Sequence, residues 1–282
     1  MAVTVIPLSS ALGAEIGNAD IARGIGDADF KDILDAWHRY GLILLPGQEI
    51  DEDQQIAFGA RFGTLAPWSR FAADHEGESA NPYIMLVSNL KENGEFVGSL
   101  QEGEIQFHSD GIYVEEPTAA TMLYALQPTA HGGETAYGNM YLAYETLPDD
   151  IKVRIDGRTA MHAFTYNSLV TADNEAKMEA EDTVERAEHP MVRTHPVTGR
   201  KALYVNRLMT RHICGMDRSE SAEILNFLYD HLERPEFVYE HRWRKGDVLL
   251  WDNRCVVHAR RDFPSDEIRI MKRLTIKGDR PF

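Results

Sequence analysis

The stretch Ile268-Arg269-Ile270-Met271-Lys272-Arg273-Leu274-Thr275-Ile276 decides how the rest of the chain is read. Ile268, Ile270, Leu274 and Ile276 fall on one side with Lys272, and Arg269, Met271, Arg273 and Thr275 fall on the other, which is the period of a strand. An apolar face of this kind packs outward against helices, so the arginine face turns into a sandwich or barrel. Four strand residues separate the two arginines by about 13 Å at about 3.3 Å per residue. Guanidinium groups held inside a protein need anions beside them. The pattern therefore predicts a carboxylate gripped in two-pronged fashion by one arginine and a second anion at the other. An edge strand with solvated arginines is the alternative.

Outward from this strand, the chain reads as many short strands with few helices. Strands are expected at Ile84 to Ser88, Ile105 to His108, Thr118 to Leu126, Arg158 to Thr165, Lys201 to Val205, Val248 to Trp251 and Val256 to Ala259. Turns at 196–199 and 244–247 predict hairpins. Asp27 opens a helix whose Phe30, Ile33, Leu34 and Trp37 recur at helical spacing until Gly41. A second helix follows Asp51, and later helices are expected near Met140 to Leu147 and Ser219 to Leu232. The fold class is mainly β with flanking helices, over one domain spanning 1–282. The segment from Asn167 to Pro190 has seven acidic and two basic residues. It reads as a solvated helix or loop, or as a lid over a ligand.

Composition narrows the partners. Lys and Arg total 29 against 45 Asp and Glu, a formal charge of −16. That field repels a polyanion, so no nucleic-acid partner is expected, although a small anion can still enter a buried basic pocket. No apolar run is long enough to span a membrane and Met1 to Ser10 lacks a signal-peptide pattern, so a cytoplasmic protein with no membrane partner is expected. Cys214 and Cys255 cannot form a disulfide framework. Dinucleotide, Walker, nucleophile-elbow and zinc-helix motifs are absent.

The chemistry centres on Gln106-Phe107-His108-Ser109-Asp110-Gly111. His108 and Asp110, two apart at a strand end, project from one face and offer an imidazole and a carboxylate to one cation. A second histidine would complete a facial triad with open positions, the donor set of non-haem Fe(II). His258, delivered by the run from Gly246 to Arg254, is the candidate, with His131, His162, His195 and His241 as competitors.

These residues resemble the taurine dioxygenase / 2,4-dichlorophenoxyacetate dioxygenase family of Fe(II)- and 2-oxoglutarate-dependent oxygenases. The resemblance runs through Arg61-Phe62-Gly63, Phe107-His108-Ser109-Asp110, Gly132-Gly133-Glu134-Thr135, Arg193-Thr194-His195-Pro196, Trp251-Asp252-Asn253-Arg254 and Gly278-Asp279-Arg280-Pro281-Phe282. It implies a double-stranded β-helix, or jelly roll, with helices outside. It implies His108, Asp110 and His258 as iron ligands, Thr135 and Arg269 on the distal carboxylate of 2-oxoglutarate, and O2 as the oxidant. Arg273 corresponds to the arginine near the other end of the co-substrate and an anionic substrate group. The implied reaction is hydroxylation of a small carboxylate or sulfonate, with C–O, C–N or C–S cleavage where the carbon bears a heteroatom. Succinate and CO2 are released. A homodimer or homotetramer is implied as well. A non-catalytic metal- and 2-oxoglutarate-binding sensor is the alternative on the same fold.

Members specific for taurine carry a histidine and a tyrosine after the Phe-Gly motif, where this chain has Thr64-Leu65-Ala66-Pro67-Trp68, and an asparagine where it has Glu104. Those departures turn the reading away from taurine. Trp68, Phe71, Phe164, Tyr166 and Met209 are the candidates for an apolar substrate wall, or else are ordinary core.

Overall fold

Alternating side chains organise two mainly antiparallel sheets, the major one with a parallel pair between Ala14–Gly17 and Leu42–Leu45. The computed structural model describes residues 2–67, 81–164 and 185–282. Among these residues the major sheet runs Thr4–Pro7, Ala14–Gly17, Leu42–Leu45, Val248–Asp252, Ala120–Gln127, Ile270–Ile276 and Leu65–Ala66, with Ile84–Ser88 also paired to Ile270–Ile276. The minor sheet orders Val238–His241, Thr135–Asn139, Val256–Arg260 and Ile105–His108.

The two faces of the major sheet differ as the period-two pattern requires. Leu123, Ala125, Leu249, Trp251 and Met271 point inward and join Tyr137 of the minor sheet. Met122, Val248, Leu250, Leu274 and Ile276 point outward against Phe30, Ile33, Trp37 and Phe58. These last four belong to helices Asp27–Tyr40 and Glu52–Gly59. Each large apolar side chain so buried contributes about 1.5–3 kcal/mol. A one-residue slip would exchange the faces, so the pattern also fixes the register.

Local chemistry sets the helix ends. Gly41 adopts the left-handed conformation at φ 70° and its N–H reaches the Trp37 carbonyl. Asp51 and Gln54 form a reciprocal capping box at the start of the second helix. Lys272 stays on the helix-facing side of its strand by reaching Glu52, with Nζ 2.9 Å from the carboxylate.

The expected hairpin at 196–199 forms, because Val192–Thr194 pairs with Lys201–Leu203. The one expected at 244–247 does not. Val238–His241 lies in the minor sheet and Val248–Asp252 in the major, so this turn carries the chain from one sheet to the other. Asp247 holds it, accepting from the Arg244 N–H and from His241 Nε2 at 2.9 Å each. Gly246, at φ 88°, lies so close to the backbone of Gln48 that a Cβ would stand 2.9 Å from its carbonyl oxygen. Turn residues mark a reversal, but not whether the next strand rejoins the same sheet.

The proposed 167–190 lid lies mostly outside the described residues. Its end, Arg186–Pro190, is a strand paired with Thr159–Ala163 rather than part of a solvated helix or loop. Trp68, Phe71 and Tyr166 also lie outside the described residues.

Candidate metal and anion site

His108 ends Ile105–His108 and sits directly across the ladder from His258 in Val256–Arg260. Opposed residues in an antiparallel pair present side chains on one face, and the two imidazole centroids are 4.1 Å apart. Asp110 follows in the turn after the strand. Its Oδ1 lies 3.7 Å from His108 Nε2 and 3.9 Å from His258 Nε2. Two ligands bound at about 2.2 Å to one ion can lie up to about 4.4 Å apart, so these separations suit a shared divalent metal. The three donors are brought together, and the competing histidines are not. His131 pairs with Glu267, His241 with Asp247 and His195 with Asp252, while His162 meets the Thr210 hydroxyl.

Protonation favours metal binding. His108 Nδ1 lies 2.8 Å from the Gln106 carbonyl, and donation there leaves the Nε2 lone pair facing Asp110. Burial lowers the pKa of His108, and burial, with a second imidazole at His108 alongside, lowers that of His258 well below the ordinary value. Burial would raise the Asp110 carboxyl, but Arg273, His258 and His108, helped by the Thr121 hydroxyl, hold it well below the usual carboxylate range. Two neutral imidazoles and a carboxylate result.

A buried frame orients that carboxylate. Thr121 donates to Asp110 Oδ2 at 2.6 Å, Asn253 Nδ2 donates to Thr121 at 3.0 Å, and the Asp110 N–H donates to Asn253 Oδ1 at 3.2 Å. Asn253 is in turn held by Trp251 Nε1 at 3.1 Å. The sequence marked Trp251 and Asn253 as part of one motif, but nothing in it linked Thr121 to the site.

Two cavities meet beside the triad. The first contains Thr135, Arg269 and Arg260 together with His108 and His258. Arg269 is 3% exposed, and among the described residues no carboxylate pairs with its guanidinium. Burial, and next the neighbouring Arg260, push its pKa down to about 9. Such a cation suits a carboxylate ligand. Thr135 Oγ1 accepts from Trp243 Nε1 at 2.9 Å, which leaves the hydroxyl proton to donate to the same anion. Gly133, at φ 71°, permits the close turn beside Arg269 Nε. The Arg269 N–H is fixed by Asn89 Oδ1 at 2.8 Å.

The second cavity is walled by Met85, Tyr113, Phe164, Leu208 and Met209 and reaches Asp110. Met209 and Phe164 occupy the wall that the sequence suggested. Met85, Tyr113 and Leu208 were not anticipated. Arg273 opens onto both cavities and is paired in this structure with Asp110 Oδ1 at 3.0 Å, so it adjoins the metal site and not only a ligand end. Glu104 is exposed and faces Arg261 instead of the site.

A second group of donors, His195, Asp252 and Cys255, also converges. Its polar atoms are already engaged. Arg254 donates to both Asp252 oxygens, at 2.8 and 2.6 Å, and His195 Nε2 meets Oδ2 at 3.0 Å. His195 Nδ1 accepts the N–H groups of Val197 and Thr198. Burial pushes the Cys255 thiol far up. This cluster ties two turns together and is not a metal centre.

Known proteins resemble this chain along nearly its whole length. An alpha-ketoglutarate-dependent 2,4-dichlorophenoxyacetate dioxygenase from Burkholderia sp. (strain RASC) is 30% identical over 276 residues, covering 94% of this chain and 91% of the relative. An alpha-ketoglutarate-dependent sulfate ester dioxygenase of Pseudomonas putida is 29% identical, covering 98% of this chain and 90% of its own. The crystal structure of AAD-2 in complex with Mn(II) and N-oxalylglycine superposes with a TM-score of 0.80 at 26% identity, covering 100% of this chain and 99% of that one. The family model for taurine catabolism dioxygenase TauD, TfdA matches residues 4–275, and the chain belongs to that family.

Proposed function

We propose that the protein is an Fe(II)- and 2-oxoglutarate-dependent dioxygenase that hydroxylates a small carboxylate or sulfonate, with bond cleavage where the attacked carbon carries O, N or S. The carrying observation is the convergence of His108, Asp110 and His258 next to Arg269, a buried cation without an acid partner among the described residues. When bound, Fe(II) and 2-oxoglutarate supply the oxidative chemistry, in which O2 converts the co-substrate to succinate and CO2 and one oxygen atom enters a substrate C–H bond.

The chain's own residues bind and orient. His108, Asp110 and His258 hold the metal, and Asp110 fills the position that a halide would need, which favours hydroxylation over halogenation. Arg269 and Thr135 hold the distal carboxylate of the co-substrate. Arg273, open to both cavities, meets the substrate anion, and Met85, Phe164 and Met209 exclude water around the apolar body. The relatives act, by name, on a phenoxyacetate and on sulfate esters, which supports an anionic substrate here. Two sheets sharing one core support the jelly-roll topology. We assign the protein to the cytoplasm as a homodimer or homotetramer. Among the described residues no helix is long and apolar enough to cross a membrane.

The test is a succinate-release screen with Fe(II), 2-oxoglutarate and O2 over aryloxyalkanoates, alkylsulfonates, sulfate esters and amino-acid derivatives. Turnover of at least one anionic compound is expected, with His108→Ala and Asp110→Ala folded but inactive. Normal turnover by either variant removes that residue from the ligand set. Tight metal and 2-oxoglutarate binding without succinate across the whole panel would instead indicate a sensor.

A further inference from the structure

Arg260 lies two residues beyond His258 on Val256–Arg260, so both side chains enter the same cavity. Across the ladder His258 faces His108 and Arg260 faces Ile105, with a break in register between them. The Arg260 guanidinium does not meet a carboxylate among the described residues. Instead it grips main-chain carbonyls of one short segment. Nε donates to Gly103 at 3.1 Å, Nη2 to Glu102 at 2.9 Å and to Gly103 at 2.6 Å, and Nη1 to Leu100.

That segment is the wall between the two cavities. Leu100 and Ile105 line both. Leu100 has φ 53°, a left-handed conformation that a leucine keeps only when its surroundings impose it. One end of the segment is anchored by the Ser99 N–H on the Leu86 carbonyl at 2.9 Å, and the other enters the strand Ile105–His108. Between those anchors, Arg260 supplies the hold.

We propose that Arg260 is a positioning residue which staples 100–103 to the strand bearing His258 and so pre-forms the wall of the co-substrate cavity. The inference rests on the reading of that cavity as the 2-oxoglutarate site. A wall already in place spares the ligand the cost of ordering it, so Arg260 acts on co-substrate affinity more than on the chemical step.

The experiment compares wild type, Arg260→Lys, Arg260→Met and Arg269→Met. Hydrogen–deuterium exchange over 99–104 is measured in metal-free protein, and 2-oxoglutarate is titrated anaerobically against Fe(II)-loaded protein through its visible absorption band. Arg260→Met is expected to exchange faster at 99–104 and to bind 2-oxoglutarate about tenfold more weakly, the loss of about one charge-assisted hydrogen bond. KM for 2-oxoglutarate should rise with kcat largely kept, and Arg260→Lys should restore part of the affinity. Should Arg260→Met fail to fold, Leu100→Gly relieves the left-handed strain but removes the wall, and weaker 2-oxoglutarate binding by a folded protein is expected. Unchanged exchange and affinity in Arg260→Met, or unchanged affinity in Leu100→Gly, overturns the role of Arg260. A wild type without the absorption band, or an Arg269→Met variant that binds normally, overturns the reading of the cavity itself.

Discussion

Arg269 illustrates what a ligand site costs the folded chain. The residue is 3% exposed and its guanidinium faces no carboxylate among the described residues. Because burial lowers the folded pKa to about 9, below the ordinary arginine value, the charged form is penalised at every pH under about 9. The penalty lifts only as pH rises beyond that. Arg269→Met keeps the length and removes the charge, so the ligand-free variant is expected to be about 1–3 kcal/mol more stable at pH 7 and to lose 2-oxoglutarate binding. Denaturant melts in the absence of metal check the first part; an equal or lower midpoint contradicts it. Asp252 has the opposite sign. Burial raises its carboxyl, but Arg254 and then His195 hold it well below the usual range. Its contribution is present above the unfolded value of about 3.9 and is lost as pH falls toward the folded value. Asp252→Asn is expected to cost about 3–5 kcal/mol at neutral pH, since it weakens the pairing of buried Arg254, and to flatten the acid-side decline in stability. An acid limb as steep as wild type would refute this. At this scale residue type and strand period single out His108 with Asp110 and the arginine face of 268–276, whereas the choice of His258 among the histidines and the co-substrate role of Arg269 come from the family resemblance. Arg260 sits two residues from His258 on the same strand face, but its partners are main-chain carbonyls of 100–103, which leave no mark on the sequence. Thr121, which braces Asp110, gave no local sign.

At the scale of elements, helix Asp27–Tyr40 and strand Ile270–Ile276 were readable because each buries one face and leaves the other against solvent or ligand. Thr135–Asn139 reads Thr-Ala-Tyr-Gly-Asn, with no alternation, and only its first residue belongs to a motif, Gly132-Gly133-Glu134-Thr135. Its Gly138 and Ala136 are small because the strand is sandwiched between two neighbours and packs closely on Val257 and Met140. The C-terminal segment is another element whose constraint is steric. A Cβ on Gly278 would stand 2.1 Å from the Pro117 carbonyl oxygen and 2.8 Å from the Ala119 nitrogen, both main-chain atoms that cannot swing aside. Gly278→Ala is therefore expected to cost about 1–3 kcal/mol and to free the segment that ends with the Phe282 carbonyl on the Thr194 N–H. Thermal melts and proteolysis of the C-terminus measure both effects, and a wild-type melt would contradict the steric role of Gly278.

Across the whole molecule, both sheets supply the site. The metal ligands lie on or just beyond strands of the minor sheet, which also brings Thr135, while Arg273 lies within, and Arg269 immediately before, Ile270–Ile276 of the major sheet. A co-substrate held as proposed, by the metal and by Arg269, would bridge them. Metal and 2-oxoglutarate together are expected to raise the melting temperature by more than the sum of each alone, because either ligand helps to order the other's site. Calorimetry with Mn(II) and N-oxalylglycine, which do not turn over, measures this; additive shifts would mean that the sheets are already fixed. Sequence could not display which sheet supplies which residue, since strand patterns carry no sheet assignment, as the turn at 244–247 demonstrates.

The shared boundary of the two cavities has an evolutionary corollary. Among the described residues, only Leu100, Ile105, His108 and Arg273 border both. Substitutions at Met85, Tyr113, Leu208 or Met209 can thus retailor the chamber for a new guest while the oxidising end is inherited intact. Descendants of one gene could diversify in diet without ever relearning how to handle oxygen.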